Sequence, residues 1–456
     1  MATQKTFIND LTEGSVARKL LYFAFPFMLS NLLQTVYNLV DMSVVGHFMG
    51  SAGLSAVSTG GRLVDLLTFV CTGFCTGGQI LLSQQVGAKK HEEMQKTIGT
   101  LFSFTMLSAI VLGVLSIALH NNLLRLLNTP ESAFDEAAKY MVICNSGCIF
   151  IFGYNALCSI LRGMGDSKRP LLFVAIASVI NLILDLIFVA GLGLGAGGAA
   201  IATVISQAIS FVSALVYLII KRESFGFTFS RHTLKIHGPT LKVLTKLGVP
   251  LAFQMAAISI SMLFVNSFIN AYGEAASAVY GAGLKLQNIP SIITQGMSTA
   301  NASMVGQNMA AGRPDRVRKS VHTCFILNGT VYGVFILGCL LFPRQIFTIF
   351  TTDEAVLALA PTYLRISCIG FAASIFNSSF NSVINGIGFT SLSMAIGLLD
   401  SVVARISLSL LFGIVLGMGL NGFFLGHALA IWVTALMAFG YYLSGRWEHH
   451  KLAVQK

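Results

Sequence analysis

Two acidic residues lie in stretches that are otherwise apolar, and they are the part of this sequence best suited to chemistry. Asp41 is the only formally charged residue between positions 19 and 62, and Asp185 is the only one between positions 169 and 221. A carboxylate inside a membrane-spanning helix costs at least about 2.5 to 3.5 kcal/mol, so it normally faces a cavity, a bound cation or a transferable proton. The two acids therefore predict an ion or proton site within a membrane.

The composition requires a membrane setting for these acids. Hydrophobic residues make up 55% of the chain, charged residues only 10%, and the mean hydropathy is +0.76, whereas about a quarter of a soluble domain is charged. A span needs about 20 mostly apolar residues. We predict an all-α polytopic membrane protein with twelve spans, at 20–46, 54–84, 97–119, 138–161, 170–191, 197–220, 243–270, 277–305, 320–342, 357–384, 391–416 and 422–444.

The basic residues predict the orientation. Most of the 29 Lys and Arg residues fall in alternate loops and in the termini, and cytoplasmic loops accumulate positive charge. Both termini are therefore predicted to be cytoplasmic, and we expect the plasma (inner) membrane of a prokaryotic cell. The same bias explains the net charge of +11 without a nucleic-acid partner, because no folded basic domain or aromatic stacking platform accompanies it.

The chain also repeats itself at a displacement of 223 or 224 residues. Pro26 corresponds to Pro250 and Gln84 to Gln307, which indicates duplication. We predict two six-helix lobes, residues 1–220 and 241–456, joined by a cytoplasmic linker at 221–240. Because six is an even number, the lobes enter the membrane from the same side and are related by an axis along the membrane normal.

Helical spacing places further polar groups near the two acids. Several polar residues of the first span can share a face with Asp41, and the fifth and sixth spans carry comparable groups at intervals of three or four residues. The predicted cation-coupling set is Asp41, Asn181, Asp185 and Thr203, and the predicted cavity lining in the first lobe is Gln34, Tyr37, Asn38 and Gln207.

Oxygen ligands of this kind suit Na⁺, and a buried carboxylate also suits H⁺, so the choice of ion stays open. No metal site is certain. The alternative for each acid is a hydrogen bond to a donor on a neighbouring helix.

The second lobe lacks matching acids. Asp41 corresponds to Phe264 or Val265, and Asp185 to Leu408 or Ser409, so coupling is predicted in the first lobe. The second lobe offers amides instead, and its candidate cavity residues are Gln254 and Gln287, although interhelical hydrogen bonding is an equal alternative.

Two other features have both mechanical and structural interpretations. Pro26 removes a backbone hydrogen bond and is the predicted bending point of the first span, with a fixed kink as the alternative. Opposite charges within about a turn of each other predict structural or cavity-mouth ion pairs, Arg62 with Asp65 and Asp400 with Arg405.

Together these residues resemble the MATE (multidrug and toxic compound extrusion) family over essentially the full chain. The resemblance rests on YNLVDMSVVGHFMG, QQVGAKK, LRGMGDSKRP, INLILDLIFVAGLGLGAGGAAIATVISQ and MVGQNMAAGRPDRV. It is nearest to the DinF-like branch, which implies Asp41 and Asp185 as the membrane acids, with Asn181, Thr203 and Tyr37 as their polar partners. The NorM-like branch adds acids on spans 7 and 10, which this chain lacks.

The resemblance implies a transporter rather than an enzyme. We expect a secondary active antiporter that exports bulky cationic or amphipathic compounds in exchange for H⁺ or Na⁺, by alternating access. The expected partners are small-molecule substrates and the lipid bilayer; we expect a monomer and no cofactor. The alternative is a flippase for a lipid-linked saccharide, for which only Arg62, Lys285 and Arg405 are available to a pyrophosphate.

Overall fold

The computed structural model describes residues 9–126, 129–221, 227, 230 and 233–455. The first eight residues of the predicted first lobe, its positions 127 and 128, most of the predicted linker between 222 and 232, and residue 456 lie outside the described residues. In the described part the chain is helical and contains no strand. This confirms the predicted all-α class, which hydrocarbon favours because a helix pairs its backbone polar groups internally.

The helices follow one another with short connections. In chain order they are α1 (Val16–Gly50), α2 (Ser55–Gly87), α3 (His91–Ala118), α4 (His120–Leu126), α5 (Glu131–Ser146), α6 (Cys148–Gly163), α7 (Lys168–Asp185), α8 (Gly195–Ile220), α9 (Gly238–Asn270), α10 (Glu274–Ala310), α11 (Pro314–Leu341), α12 (Pro343–Thr348), α13 (Glu354–Gly386), α14 (Thr390–Leu398), α15 (Ile406–Leu410) and α16 (Gly419–Leu443).

The number of spans is close to the predicted twelve. Among the described residues, ten helices are long and apolar enough to cross a membrane, and an eleventh span results if the pair formed by α5 and α6, bent by 49°, is counted as one. The predicted span at 277–305 forms the 37-residue helix α10, which is outside this set. Lys285 and several amides, such as Gln287 and Asn288, lower its hydropathy.

Irregular backbone marks a few places in the helices. Gly50 has φ 64° and ψ −155° and separates α1 from α2; a side chain is strained in this region, but glycine is not. Three π-helices occur among the described residues, at Leu186–Gly191, Leu399–Arg405 and Leu411–Val415. Such widened turns frequently lie at functional sites, and the first begins directly after Asp185.

The chain divides into two compact units. Unit 1 contains Met1–Asp10 and Leu29–Ala252, and unit 2 contains Leu11–Met28 and Phe253–Lys456. These units are not identical with the predicted lobes: the first part of α1 belongs to unit 2, and the first part of α9 belongs to unit 1. The lobe boundaries at 220 and 241 stay a prediction. In both helices the chain changes unit two residues after a proline, Pro26 or Pro250.

Specific contacts hold the exchanged segment of unit 2. The backbone N–H of Leu11 donates to Gln307 Oε1 at 2.9 Å, and Arg316 Nη1 donates to the carbonyl of Gly14 at 2.8 Å. Behind them, Leu20 packs in a buried cluster with Met304. The beginning of α1 is therefore an integral part of unit 2.

The exchanged segment of unit 1 is held in a comparable way. Ser103 Oγ donates to the carbonyl of Leu234 at 2.6 Å, and the N–H of His237 donates to Thr100 Oγ1 at 3.0 Å. A Cβ atom added to Gly248 would lie 2.8 Å from the Cα of Phe74. At this point α9 and α2 are in backbone contact.

One of the two predicted ion pairs forms. Asp400 and Arg405 pair at 2.9 Å in a buried position of unit 2. Arg62 and Asp65 are both exposed and make no ion pair, so the predicted pairing of these two residues is wrong. An exposed ion pair contributes only about 0 to 1 kcal/mol, so little favours the contact.

The backbone contact between α9 and α2 predicts a loss of stability in Gly248→Ala. The added methyl group meets backbone rather than a flexible side chain, so the helices have to separate, and overpacking of this kind costs about 1 to 3 kcal/mol. Thermal unfolding of the purified protein measures the loss. Gly333→Ala is the control, because Gly333 is an exposed helical glycine with no atom within 4 Å of the added Cβ. Equal unfolding midpoints for both variants would contradict the close contact.

Candidate functional site

The two acids singled out by the sequence lie together inside unit 1. Asp41, on α1, is 7% exposed, and Asp185, the last residue of α7, is fully buried. Their carboxyl groups interact electrostatically, although no hydrogen bond of ordinary geometry reaches either oxygen of Asp185. Two helices thus bring two carboxyl groups into one low-dielectric site.

Several carboxyl oxygens of this site receive no hydrogen bond. Asp41 Oδ1 and both carboxyl oxygens of Asp185 are buried and have no hydrogen-bond partner. An ionised carboxylate can only accept, and two charged carboxylates close together in a protein interior are unfavourable. The arrangement can be satisfied by a proton on one acid or by a cation between them.

Polar partners from α7 and α8 adjoin the acids. Asn181 lies one turn before Asp185, is 1% exposed, and its Nδ2 has no partner. The hydroxyl of Tyr37 donates to Thr203 Oγ1 at 3.2 Å, which links α1 to α8. All four residues predicted for coupling, together with Tyr37, therefore belong to this region of unit 1.

Two residues of the site were missed by sequence reasoning. Tyr140 and Cys144, on α5, are buried and interact electrostatically with Asp41. They also belong to a hydrophobic cluster with Val45, one turn after Asp41 on α1. Their i, i+4 spacing on the fourth predicted span was the available signal, but tyrosine and cysteine on an apolar helix are common packing residues.

A cavity lies beside this site in unit 1. It is partly open, has room inside for about one water molecule, and is lined by Gln34, Tyr37, Tyr154, Val174, Ala177, Ser178, Ser206, Gln207 and Ser210. Its wall combines apolar side chains with a few polar groups, as the walls of ligand pockets usually do. Three of the predicted lining residues, Gln34, Tyr37 and Gln207, lie in this wall.

The other predicted residues lie elsewhere. Asn38 is exposed on α1 and is not part of the lining. Gln254 and Gln287 belong to unit 2, where Gln254 Oε1 accepts a hydrogen bond from Ser393 at 3.2 Å. Pro26 is buried within a helix that continues through it. The cavity roles stay predictions for Asn38, Gln254 and Gln287. Bending of α1 at Pro26 also stays a prediction.

Within the described ranges, no group of three or more His, Cys, Asp or Glu side chains is arranged to hold a metal ion. Divalent metals bind through such clusters. The pair of carboxyl groups with amide and hydroxyl oxygens nearby suits a proton or a singly charged cation, either of which relieves the repulsion between two charged carboxylates.

The cavity predicts that water reaches Gln34. In Gln34→Cys the new thiol should react with a charged, water-soluble maleimide, since thiol reactivity requires access. The eight native cysteines are buried, so their background should be small. Leu39→Cys is the matched control on the same helix, because Leu39 is 57% exposed but does not line the cavity. Mass spectrometry measures the rate of labelling. If Leu39→Cys is labelled as fast as Gln34→Cys, a water-filled cavity at Gln34 is contradicted.

Comparison with known proteins agrees with this fold. The family model MatE matches the chain twice, at residues 26–187 and 250–411. Both ends of the second match lie 224 residues after those of the first, which confirms the internal repeat. The chain is 30% identical over 447 residues to the probable multidrug resistance protein YpnP of Bacillus subtilis, covering 98% of this chain and 99% of that protein.

More distant proteins share the same architecture. The multidrug export protein MepA of Staphylococcus haemolyticus is 24% identical over 384 residues, covering 83% of this chain and 80% of that protein. A solved structure, described as the outward-facing conformation of a multidrug resistance MATE family transporter of the MOP superfamily, is 22% identical with a TM-score of 0.90, covering 98% of both chains. The two family matches together span well over half of this chain. It is therefore a multi-pass membrane protein of the MATE family of transporters.

Proposed function

We propose that this protein is a secondary active multidrug efflux antiporter, which exports bulky cationic or amphipathic compounds in exchange for H⁺ or Na⁺ by alternating access. The observation that carries the proposal is the buried pair of Asp41 and Asp185, with three oxygens that lack a donor. Both termini on the cytoplasmic side of a bacterial membrane belong to the same proposal, supported by the distribution of basic residues.

The relatives support the substrate class. Proteins that match this chain over most of its length are named multidrug resistance or multidrug export proteins. The small pocket in unit 1 contributes the chemistry of its wall to the proposal, since two amides, hydroxyls and apolar side chains line it. Such a wall offers dispersion contacts and a few adaptable hydrogen bonds, which suit substrates of varied shape.

The carboxyl pair supports ion exchange by electrostatic competition. When both acids are charged, the site attracts a cation, and when one acid is protonated or a sodium ion lies between them, that attraction falls. Because Tyr37 contributes to the cavity wall and is bonded to Thr203 near the acids, a change of charge can act on the substrate cavity over a short distance. Loading of the acids from outside then releases substrate there, and unloading inside resets the protein.

Bending of α1 at Pro26 is the mechanical part of the proposal. Proline removes one helical hydrogen bond and lowers the local resistance to bending. The chain passes from unit 2 to unit 1 between Met28 and Leu29, two residues after Pro26. A change at Asp41, further along the same helix, is therefore well placed to alter the helix at this point.

Neutralising either acid should abolish exchange. In Asp41→Asn or Asp185→Asn the side chain keeps its size but no longer changes charge, so gradient-driven efflux of a fluorescent cationic dye from proteoliposomes should fall to the level of protein-free vesicles. Asp135→Asn is the matched control, because Asp135 is an exposed acid on α5 and should leave efflux unchanged. Full efflux by both site variants would refute the proposed coupling site.

Imposed gradients should identify the coupling ion. Because either a proton or a sodium ion relieves the repulsion between the two carboxylates, we expect either a pH gradient alone or a sodium gradient alone to drive dye export from liposomes. The gradient that drives it should do nothing in Asp185→Asn. Export that depends on neither gradient, or that instead depends on ATP, would exclude the antiport proposal.

A further inference from the structure

Unit 2 carries a buried polar cluster at the positions that correspond to the carboxyl site of unit 1. The repeat places Arg405, Ser409 and His427 each 224 residues after Asn181, Asp185 and Thr203. All three are at least nine-tenths buried, with exposures of 3%, 1% and 7%. The duplicated site has therefore kept its burial while its residue types have changed completely.

The guanidinium group of Arg405 is only partly satisfied. Its Nη2 donates to Asp400 Oδ2 at 2.9 Å, but Nε and Nη1 are buried and have no partner. A hydrogen bond left unmade by a buried charged group is destabilising. Three N–H groups of one cation thus remain without an acceptor.

His427 adds another donor. Its Nδ1 lies 3.4 Å from the hydroxyl of Tyr280. The neutral ring has two tautomers, and the proposed anion site uses the one in which Nδ1 accepts from that hydroxyl and Nε2 carries the hydrogen. Nε2 is buried and has no partner. The ring interacts electrostatically with Arg405, so its free N–H is close to the guanidinium group.

Ser409 completes the set from the next turn of the helix. It lies four residues after Arg405, on the same helical face, and its buried Oγ has no partner. The donors without acceptors are therefore on Arg405, His427 and Ser409, whereas the free acceptor of the cluster is Asp400 Oδ1. In unit 1 the corresponding site is rich in acceptors, so the polarity is inverted.

Close packing limits the size of a ligand. A Cβ atom added to Gly426, next to His427, would lie 2.4 Å from the backbone nitrogen of Ser409. The two segments that carry Ser409 and His427 are thus in backbone contact. This close packing does not suit a bulky organic anion, so the ligand considered is a monatomic ion.

We propose that Arg405, Ser409 and His427 form a binding site for a small inorganic monoanion of halide size in unit 2. Asp400 accepts from Nη2 of the guanidinium group, and the anion accepts from one of the two remaining nitrogens, Nε or Nη1, together with the serine hydroxyl and the imidazole N–H. The site is separate from the carboxyl pair and does not depend on the proposed export activity.

Stabilisation by halide tests the site in the purified, full-length protein. Unfolding midpoints are measured against NaCl or NaBr concentration at constant ionic strength, with gluconate, which is too large for the site, as the replacement anion. The wild-type midpoint should rise with halide. Ser409→Ala should raise the apparent halide Kd about tenfold, and Arg405→Gln should abolish the effect.

Ser401→Ala is the matched control, because Ser401 is buried on the same span and its Oγ already donates to the carbonyl of Gly397 at 2.7 Å. It should retain the wild-type response. Ser409→Ala keeps the test decisive if Arg405→Gln fails to fold. The same halide response in all variants, or none in the wild type, would overturn the proposal.

Crystals soaked in NaBr locate the ion. An anomalous bromine peak beside Arg405 Nε or Nη1 is the expected result. Ordered water at that position with no anomalous signal would show that Arg405 and Asp400 form only a hydrated structural ion pair, and would overturn the anion site.

Discussion

The fold depends on one constraint, which is that hydrocarbon offers no hydrogen-bond partner to a polar group. Helices satisfy this constraint for the backbone, and serine and threonine side chains satisfy it by bonding to carbonyl groups one turn earlier, as Thr72 does to Thr68 at 2.8 Å. Against this background, buried polar atoms without partners stand out. They concentrate at Asp41 and Asp185 in unit 1 and around Arg405 in unit 2.

Duplication explains why both concentrations occur at related places. Each repeat builds the same helices, so each has an equivalent pocket for polar side chains at the packing of its last two spans. In the first repeat the pocket holds Asp185, and in the second it holds Ser409 and Arg405. A π-helix follows Asp185 at Leu186–Gly191, and another follows Ser409 at Leu411–Val415. The widened backbone is therefore also part of the repeated architecture.

Much of the fold could be predicted from the sequence, because hydropathy, charge distribution and self-similarity are strong signals in a membrane protein. Asp41 and Asp185 could be found because a charge in an apolar helix is conspicuous. Tyr140 and Cys144 could not, since weakly polar residues do not differ in composition from packing residues. The inverted cluster could not be found either, because Ser409 resembles an ordinary small residue of a packed helix.

Other features depend on information that a single sequence does not display. A π-helix inserts one residue into a turn without a compositional mark, and the low hydropathy of α10 reflects helix-to-helix packing rather than contact with lipid. The positions of Gln254 and Gln287 could not be assigned to a cavity from spacing alone, because an amide that faces water and an amide that bonds to a neighbouring helix have the same periodicity.

The exchange of segments between the units has a consequence for biosynthesis. Leu11–Met28 is made first but packs with residues of unit 2, such as Gln307 and Met304, whereas unit 1 stays incomplete until the chain has been extended to Ala252. The first half of the chain therefore cannot finish folding as soon as it leaves the ribosome, although domains generally fold as units during synthesis. The newly inserted first helix has to wait in the bilayer for a partner from the second half, which makes assembly of the two halves one concerted event rather than two successive ones.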